Sequence, residues 1–224
     1  MLKARKRITK RQIKEDKFVT TYFKTIDFIN KNSKNVTIGL VAIIAIIVLL
    51  VLMARSKQAA ELNASEQLAK ANTEISQNNL TQAVDILLNM VDNYSGTKSA
   101  ENGVYLLAYT YFQKGDFEKA QSYFKKYVDK YRKNPILSSS AYSGLGASLE
   151  QQGKFLEAAE WYEKGAKKYP NHFNAAQQFM DAARCFGLAN QKDKAKACYE
   201  TIIENYPKSN LKNDAELYLA KMSG

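Results

Sequence analysis

The sequence predicts an all-α protein, with one N-terminal membrane-crossing helix followed by a stack of about four helical hairpins and a closing helix. Three observations carry that prediction. Glycine (10) and proline (3) are scarce among the 224 residues, so turns built on them are few, and the heavy use of Ala, Leu, Lys, Glu and Gln favours helix. The run Val36 to Ala54, VTIGLVAIIAIIVLLVLMA, holds neither charge nor proline. After it, the chain repeats itself at intervals of 37 to 38 residues.

Residues 1–34 read as a basic cytoplasmic tail. They carry eleven of the 33 Lys and Arg against Glu15, Asp16 and Asp27, a net of +8, which leaves +3 of the total +11 for the rest of the chain. A basic excess spread over a fold would point to nucleic acid, but here it belongs to the tail. Residues 1–17 have few apolar side chains and are expected to be disordered or to lie on anionic lipid head groups. From Phe18 the pattern changes: Val19, Tyr22, Phe23, Ile26 and Ile29 recur at steps of three and four, with Lys17, Lys24 and Lys31 elsewhere on the wheel. That is the pattern of a short amphipathic helix beside a membrane.

Residues 35–54 read as a transmembrane helix. At about 1.5 Å per residue the apolar run covers the roughly 30 Å of a bilayer's hydrocarbon. A core helix of this length would keep a polar face, and a cleaved signal peptide has a shorter leader and a shorter apolar region. Short segments rich in Lys and Arg stay on the cytoplasmic side, and beyond the span only Arg55 and Lys57 oppose the tail. The expected location is therefore the inner membrane, single-pass, with the N-terminus cytoplasmic and residues 55–224 extracytoplasmic, in the periplasm of a bacterium with two membranes. The stretch SKQAAELNASEQLAKANTEIS after Arg55 has no helix breaker, so the span is expected to continue as one helix into the folded domain.

Residues 55–224 are read as one domain of stacked hairpins. Gly153, Phe155, Ala158, Tyr162 and Tyr169 fall 38 residues after Gly115, Phe117, Ala120, Phe124 and Tyr131. A further copy 37 residues on aligns Ala183, Phe186, Ala195, Tyr199, Tyr206 and Pro207 with Gly146, Leu149, Ala158, Tyr162, Tyr169 and Pro170. A weaker first copy contains Ala71, Ala83, Leu87 and Tyr94. A small residue (Ala108, Gly146, Ala183) and an alanine twelve positions later (Ala120, Ala158, Ala195) let two antiparallel helices approach closely, so Gly146 is expected to face Ala158. Lys-Gly-Asp and Gln-Gly-Lys make the short turns. One hairpin cannot bury both faces, so the units stack.

These residues resemble the tetratricopeptide repeat (TPR) family, whose signature of a small residue after leucine, then Ala, an aromatic and a closing proline is matched by Leu145, Gly146, Ala158, Tyr162 and Pro170. The resemblance covers about Ala64 to Tyr206, plus a closing helix over Asp214 to Met222, and implies a right-handed TPR-type α-solenoid. The long period and the YPKS ending at Tyr206 to Ser209 look like envelope members of the family. A basic tail, one span and extracytoplasmic repeats is a layout similar to the ancillary subunit of the bacterial Sec translocon. A lipid anchor would need a cysteine just after the apolar run, whereas the cysteines are Cys185 and Cys198.

The resemblance also places a protein-binding groove on the first helix of each hairpin. The residues pointing into it would be Asn102, Tyr105, Tyr109 and Phe112, then Ser140, Ser143, Ala147 and Glu150, then Gln177, Met180, Arg184 and Gly187. Relatives that clamp acidic chaperone tails use Lys and Asn where this chain has Tyr105 and Tyr109. An aromatic pair there favours apolar or extended segments. Equally, the two tyrosines could pack on the neighbouring hairpin and serve the stack alone.

Catalytic chemistry is not expected, and no cofactor or metal is called for. The one histidine, His172, is placed in a turn and read as solvated, there is no phosphate-cradling glycine loop, and no zinc-ligand spacing is present. Acidic residues on the repeats alternate with lysines and read as solvated faces. Cys185 and Cys198 are expected to sit at comparable distances from the turn near Asn190, either as a disulfide or as two buried thiols. The function implied is a membrane-anchored scaffold whose partners are proteins, the Sec translocon or periplasmic chaperones among them, together with membrane lipid and without a small-molecule substrate. In a second reading the basic tail binds nucleic acid or a cytosolic partner and the repeats only oligomerise. It is weakened by the lack of aromatics among the tail's basic residues.

Overall fold

A computed structural model describes residues 17–131 and 133–223. The expected disorder or lipid contact of the first sixteen residues lies outside them. Within the described residues the chain is helical throughout: α1 (Lys17–Lys31), α2 (Ser33–Ser76), α3 (Leu80–Asn93), α4 (Lys98–Gln113), α5 (Phe117–Lys130), α6 (Pro135–Gln151), α7 (Phe155–Lys168), α8 (Ala175–Leu188), α9 (Lys192–Asn205) and α10 (Lys212–Ser223). The chain divides into two compact units, Met1–Ser56 and Lys57–Gly224.

In the first unit α1 and α2 are separated by Asn32 alone. The ladder barely breaks there, because the Asn32 N–H donates to the Phe28 carbonyl (3.0 Å) and the Val36 N–H to the Asn32 carbonyl (2.9 Å). Val19, Tyr22, Phe23 and Ile29 of α1 are exposed. The apolar stretch of α2 is long and apolar enough to cross a membrane by length and composition, and none of it is buried by the rest of the chain.

The second unit begins with the end of α2, from which the turn at Asn78 and Asn79 leads into α3. Then follow α4 with α5, α6 with α7, α8 with α9, and α10 closes the stack. The hairpin turns share one device. Asn78 (φ 63°), Gly115 (79°), Gly153 (74°) and Asn190 (58°) all take the left-handed conformation. The residue after each donates back to a carbonyl five positions earlier: Asn79 to Glu74 (2.8 Å), Asp116 to Tyr111 (3.0 Å), Lys154 to Leu149 (3.0 Å) and Gln191 to Phe186 (2.8 Å). This closes the helix end and reverses the chain.

Helix starts are capped where the sequence supplies an oxygen. Thr97 accepts from the Ala100 N–H, Asp116 from Lys119, and Asn134 from Ile136 and Leu137, with Pro135 in the first turn. Each second helix ends on a tyrosine, namely Tyr94, Tyr131, Tyr169 and Tyr206, whose N–H bonds four residues back.

The core is one continuous cluster from Ala64 to Ala215. Its repeated small positions, Ala108, Ala120, Ala158, Ala183 and Ala195, are all buried. Gly146 is buried too, but its close neighbour is not the expected Ala158: a Cβ placed there would meet the Tyr162 ring at 2.8 Å. The reason is helical spacing, since an aromatic one turn beyond the small alanine reaches across the gap that the alanine leaves. Gly144 serves the contact between hairpins instead, with the Phe124 ring of α5 lying against it.

Candidate functional site

The face named from the sequence lies along α4, α6 and α8, and its residues divide by what they touch. Asn102, Tyr109, Gln177, Arg184 and Gly187 are exposed, whereas Tyr105, Phe112, Ser140, Ser143, Ala147, Glu150 and Met180 are half-buried. Tyr105 packs edge-on against Phe124 and Tyr127 at 5.8 Å from each ring. Burial pushes its hydroxyl above the usual tyrosine range, partly offset by a hydrogen bond with Ser140 of the next hairpin. Tyr109, in contrast, is 41% exposed and accepts a hydrogen bond at its hydroxyl from Gln113 Nε2 (3.4 Å). Phe112 packs edge-on against Phe117 at 5.3 Å. The tyrosine pair therefore has one inward and one outward member.

At the far end of α6 the face is ionic. The Arg184 guanidinium forks onto both oxygens of Glu150, Nη1 to Oε1 and Nη2 to Oε2 (2.9 Å), and Nη2 also reaches Asp181 (3.3 Å). Tyr162 donates to the same Glu150 carboxylate (3.3 Å), as does the Cys185 thiol (3.5 Å). The Arg184 hydrogen bond holds the Glu150 carboxyl below the ordinary value of 4.5. Burial pushes Asp181 up from 3.8 and the Cys185 thiol up to about 12. At Cys198 burial has the same effect, also to about 12. Both cysteines are free, buried thiols held in the protonated, unreactive form. Glu150 and Asp181 thus depart from the expectation that the repeat acids form solvated faces, because Arg184 reaches Glu150 from the next hairpin and Asp181 along its own helix.

Between these two regions Gln178 joins hairpins three and four. It is 1% exposed, and its Nε2 donates to the Ser139 carbonyl (2.8 Å) and the Ser143 hydroxyl (2.7 Å). Ser139 in turn donates to Asn174 Oδ1 (2.8 Å). Ser143, named from the sequence, is consumed by this tie. Gln178, Asp181, Cys185 and Asn174 were not named beforehand. One signal existed: Gln178 occupies the repeat position held by Ala141 and Gly103 in the preceding units, and a large polar side chain at a small-residue site must find partners.

His172 differs from expectation. It is half-buried rather than solvated, bonded through Nδ1 to Asn174, with Nε2 buried and unpartnered. Among the described residues no group of three or more His, Cys, Asp or Glu is placed to hold a metal.

Two family models, both described as tetratricopeptide repeat, match the chain: one over residues 68–135 and 105–173, the other over residues 179–209. Among solved structures, the chain is similar to a Podosopora anserina protein described as a kinesin light chain with nearly identical TPR-like repeats, at 17% identity and a TM-score of 0.56, over 70% of this chain and 84% of that one. It is also similar to MamA, at 16% identity and a TM-score of 0.50, over 68% of this chain and 91% of that one. At such identities the likeness is one of fold. No match is found among curated protein sequences.

Proposed function

Because the chain belongs to the tetratricopeptide repeat family, whose models match more than half of its length, we propose that it is a non-catalytic scaffold, held in a membrane by α2, that gathers proteins along α4, α6 and α8. Stacked hairpins present a long surface from which short segments of other proteins can be held. The observation that carries the reading is the apolar stretch of α2, none of which the chain itself buries. A contiguous apolar surface of that size calls for lipid. The eleven basic residues before it favour a cytoplasmic N-terminus, and hence repeats on the extracytoplasmic side. There they would assist protein translocation or envelope protein assembly, with the translocon or periplasmic chaperones as partners and lipid against α1 and the span. Tyr109 is the anchor we assign on the binding face, since it is aromatic, exposed and outside the core packing that Tyr105 joins.

Two measurements test this. Alkaline carbonate should leave the full chain in the membrane pellet, and a cysteine replacing Lys221 should react with an impermeant maleimide once the outer barrier is opened. Release by carbonate would remove the anchor, and labelling by permeant reagents alone would reverse the sidedness. A photo-crosslinker at Tyr109 should capture a protein that Tyr109→Ala no longer co-purifies. Retention of that protein by the variant would remove Tyr109 from the interface.

A further inference from the structure

Two consecutive inter-hairpin loops, residues 170–174 and 206–210, bound a cleft of about 1100 Å³ with the ends of α7 and α9 and the start of α8. None of the residues assigned to the α4, α6 and α8 binding face lines it. Two features distinguish it from a mere furrow between loops. Phe173 on its edge is 85% exposed, an aromatic ring given almost wholly to solvent. The charged residues lining it are Lys167 and Lys208, and no acidic residue lines it. Lys167 already pairs with Glu163 (2.6 Å), whereas Lys208 makes no ion pair among the described residues.

His172 ties down the loop that carries Phe173. Its Nδ1 meets Asn174 Oδ1 (2.5 Å), an oxygen that also accepts from Ser139, while the Asn174 amide donates toward Ser143 (3.4 Å). The asparagine oxygen can only accept, so Nδ1 must carry the proton. In the neutral ring Nε2 is then a bare acceptor, and it is buried with no partner. Nε2 is closed off from the cleft, so the ring serves to hold the loop that carries Phe173.

We propose that this cleft is a second protein-binding site, separate from the α4, α6 and α8 face, and that it takes an extended acidic segment bearing an aromatic side chain. The aromatic ring packs on Phe173 and on Pro170 and Pro207 of the two loops. A carboxylate of the segment faces Lys208, whose ammonium is free of an ion pair among the described residues, and a second shares Lys167 with Glu163. The charge pattern selects an acidic partner over a basic one, and the proline and phenylalanine surfaces select an aromatic side chain over a purely polar peptide.

The probe is a fluorescein-labelled peptide of alternating Glu and Phe, titrated against the full chain in detergent micelles and read by anisotropy above an empty-micelle baseline. Saturable binding is expected, weakened at least about fivefold by Phe173→Ala and by Lys208→Glu and unchanged by Tyr109→Ala. Both replaced side chains project from loops, so unchanged circular dichroism is expected. If one variant loses helicity, the other carries the test. The proposal is overturned by absence of saturable binding, by indifference to Lys208→Glu, or by equal binding of a Lys and Phe peptide. Preference for an oligothymidylate would make the cleft a nucleic-acid site instead and overturn it too. Equal weakening by Tyr109→Ala would place the peptide on the α4, α6 and α8 face.

Discussion

Gly146 shows how a single position is read correctly in kind and wrongly in partner. The small residue was legible because its repeats, Ala108 and Ala183, are small as well. That the Tyr162 ring fills the space at 2.8 Å from a Cβ there was not legible, since periodicity says which residues share a face and not which side chain crosses a gap. The graded expectation is that Gly146→Ala displaces the ring slightly, as alanine does at the equivalent positions, whereas Gly146→Leu overpacks and costs roughly 1–3 kcal/mol. Urea unfolding of residues 57–224 measures both. Equal stability of the leucine variant would remove the contact. His172 teaches the same point: it was read as solvated from its place in a turn, and it is half-buried.

At the scale of the hairpin, one left-handed residue per turn is the shared requirement. Glycine meets it without strain at Gly115 and Gly153, and asparagine meets it at Asn78 and Asn190 with a small cost. Gly153→Val should therefore destabilise the repeat unit by about 1–2 kcal/mol, while Asn190→Gly should stay within about 0.5 kcal/mol of the parent. Thermal denaturation decides it, and a valine variant as stable as the parent would mean that the turn tolerates another backbone path. The two glycine turns stand out in the sequence. The first turn does not, because Asn78 and Asn79 follow a helix rich in polar residues and asparagine is common in many other settings.

Across the whole stack, hairpins three and four are tied by polar groups that work as a unit. The Arg184 fork lowers the Glu150 carboxyl, so its charged form is favoured in the fold. That contribution is complete above 4.5, the ordinary value, and is lost as pH falls through the lowered one. Glu150→Gln should therefore be less stable than the parent near neutral pH, by about 1 kcal/mol or less given the partial exposure of the pair. The gap should narrow as pH falls below 4.5 and close once the lowered value has been passed. Asp181 acts oppositely: burial raises it, so its contribution is present below 3.8 and declines as pH rises through the raised value. Urea midpoints measured from neutral to acid pH check this, and a gap constant with pH would mean that the fork contributes packing rather than charge.

The sequence alone determined the helical class, the apolar segment, the concentration of basic charge before it and the 37- to 38-residue period that sets each hairpin. Those are properties of composition and local spacing, which act along the chain and leave their mark there. Tertiary structure alone decided which polar side chains of the repeats become ties between hairpins, which tyrosine of the pair faces outward, and that two proline-bearing loops enclose a cleft. Glu150 and Arg184 lie 34 positions apart, and so do many pairs that never touch. Only the stacking of one hairpin on the next, driven by burial of the faces that each leaves open, brings such residues within hydrogen-bonding distance.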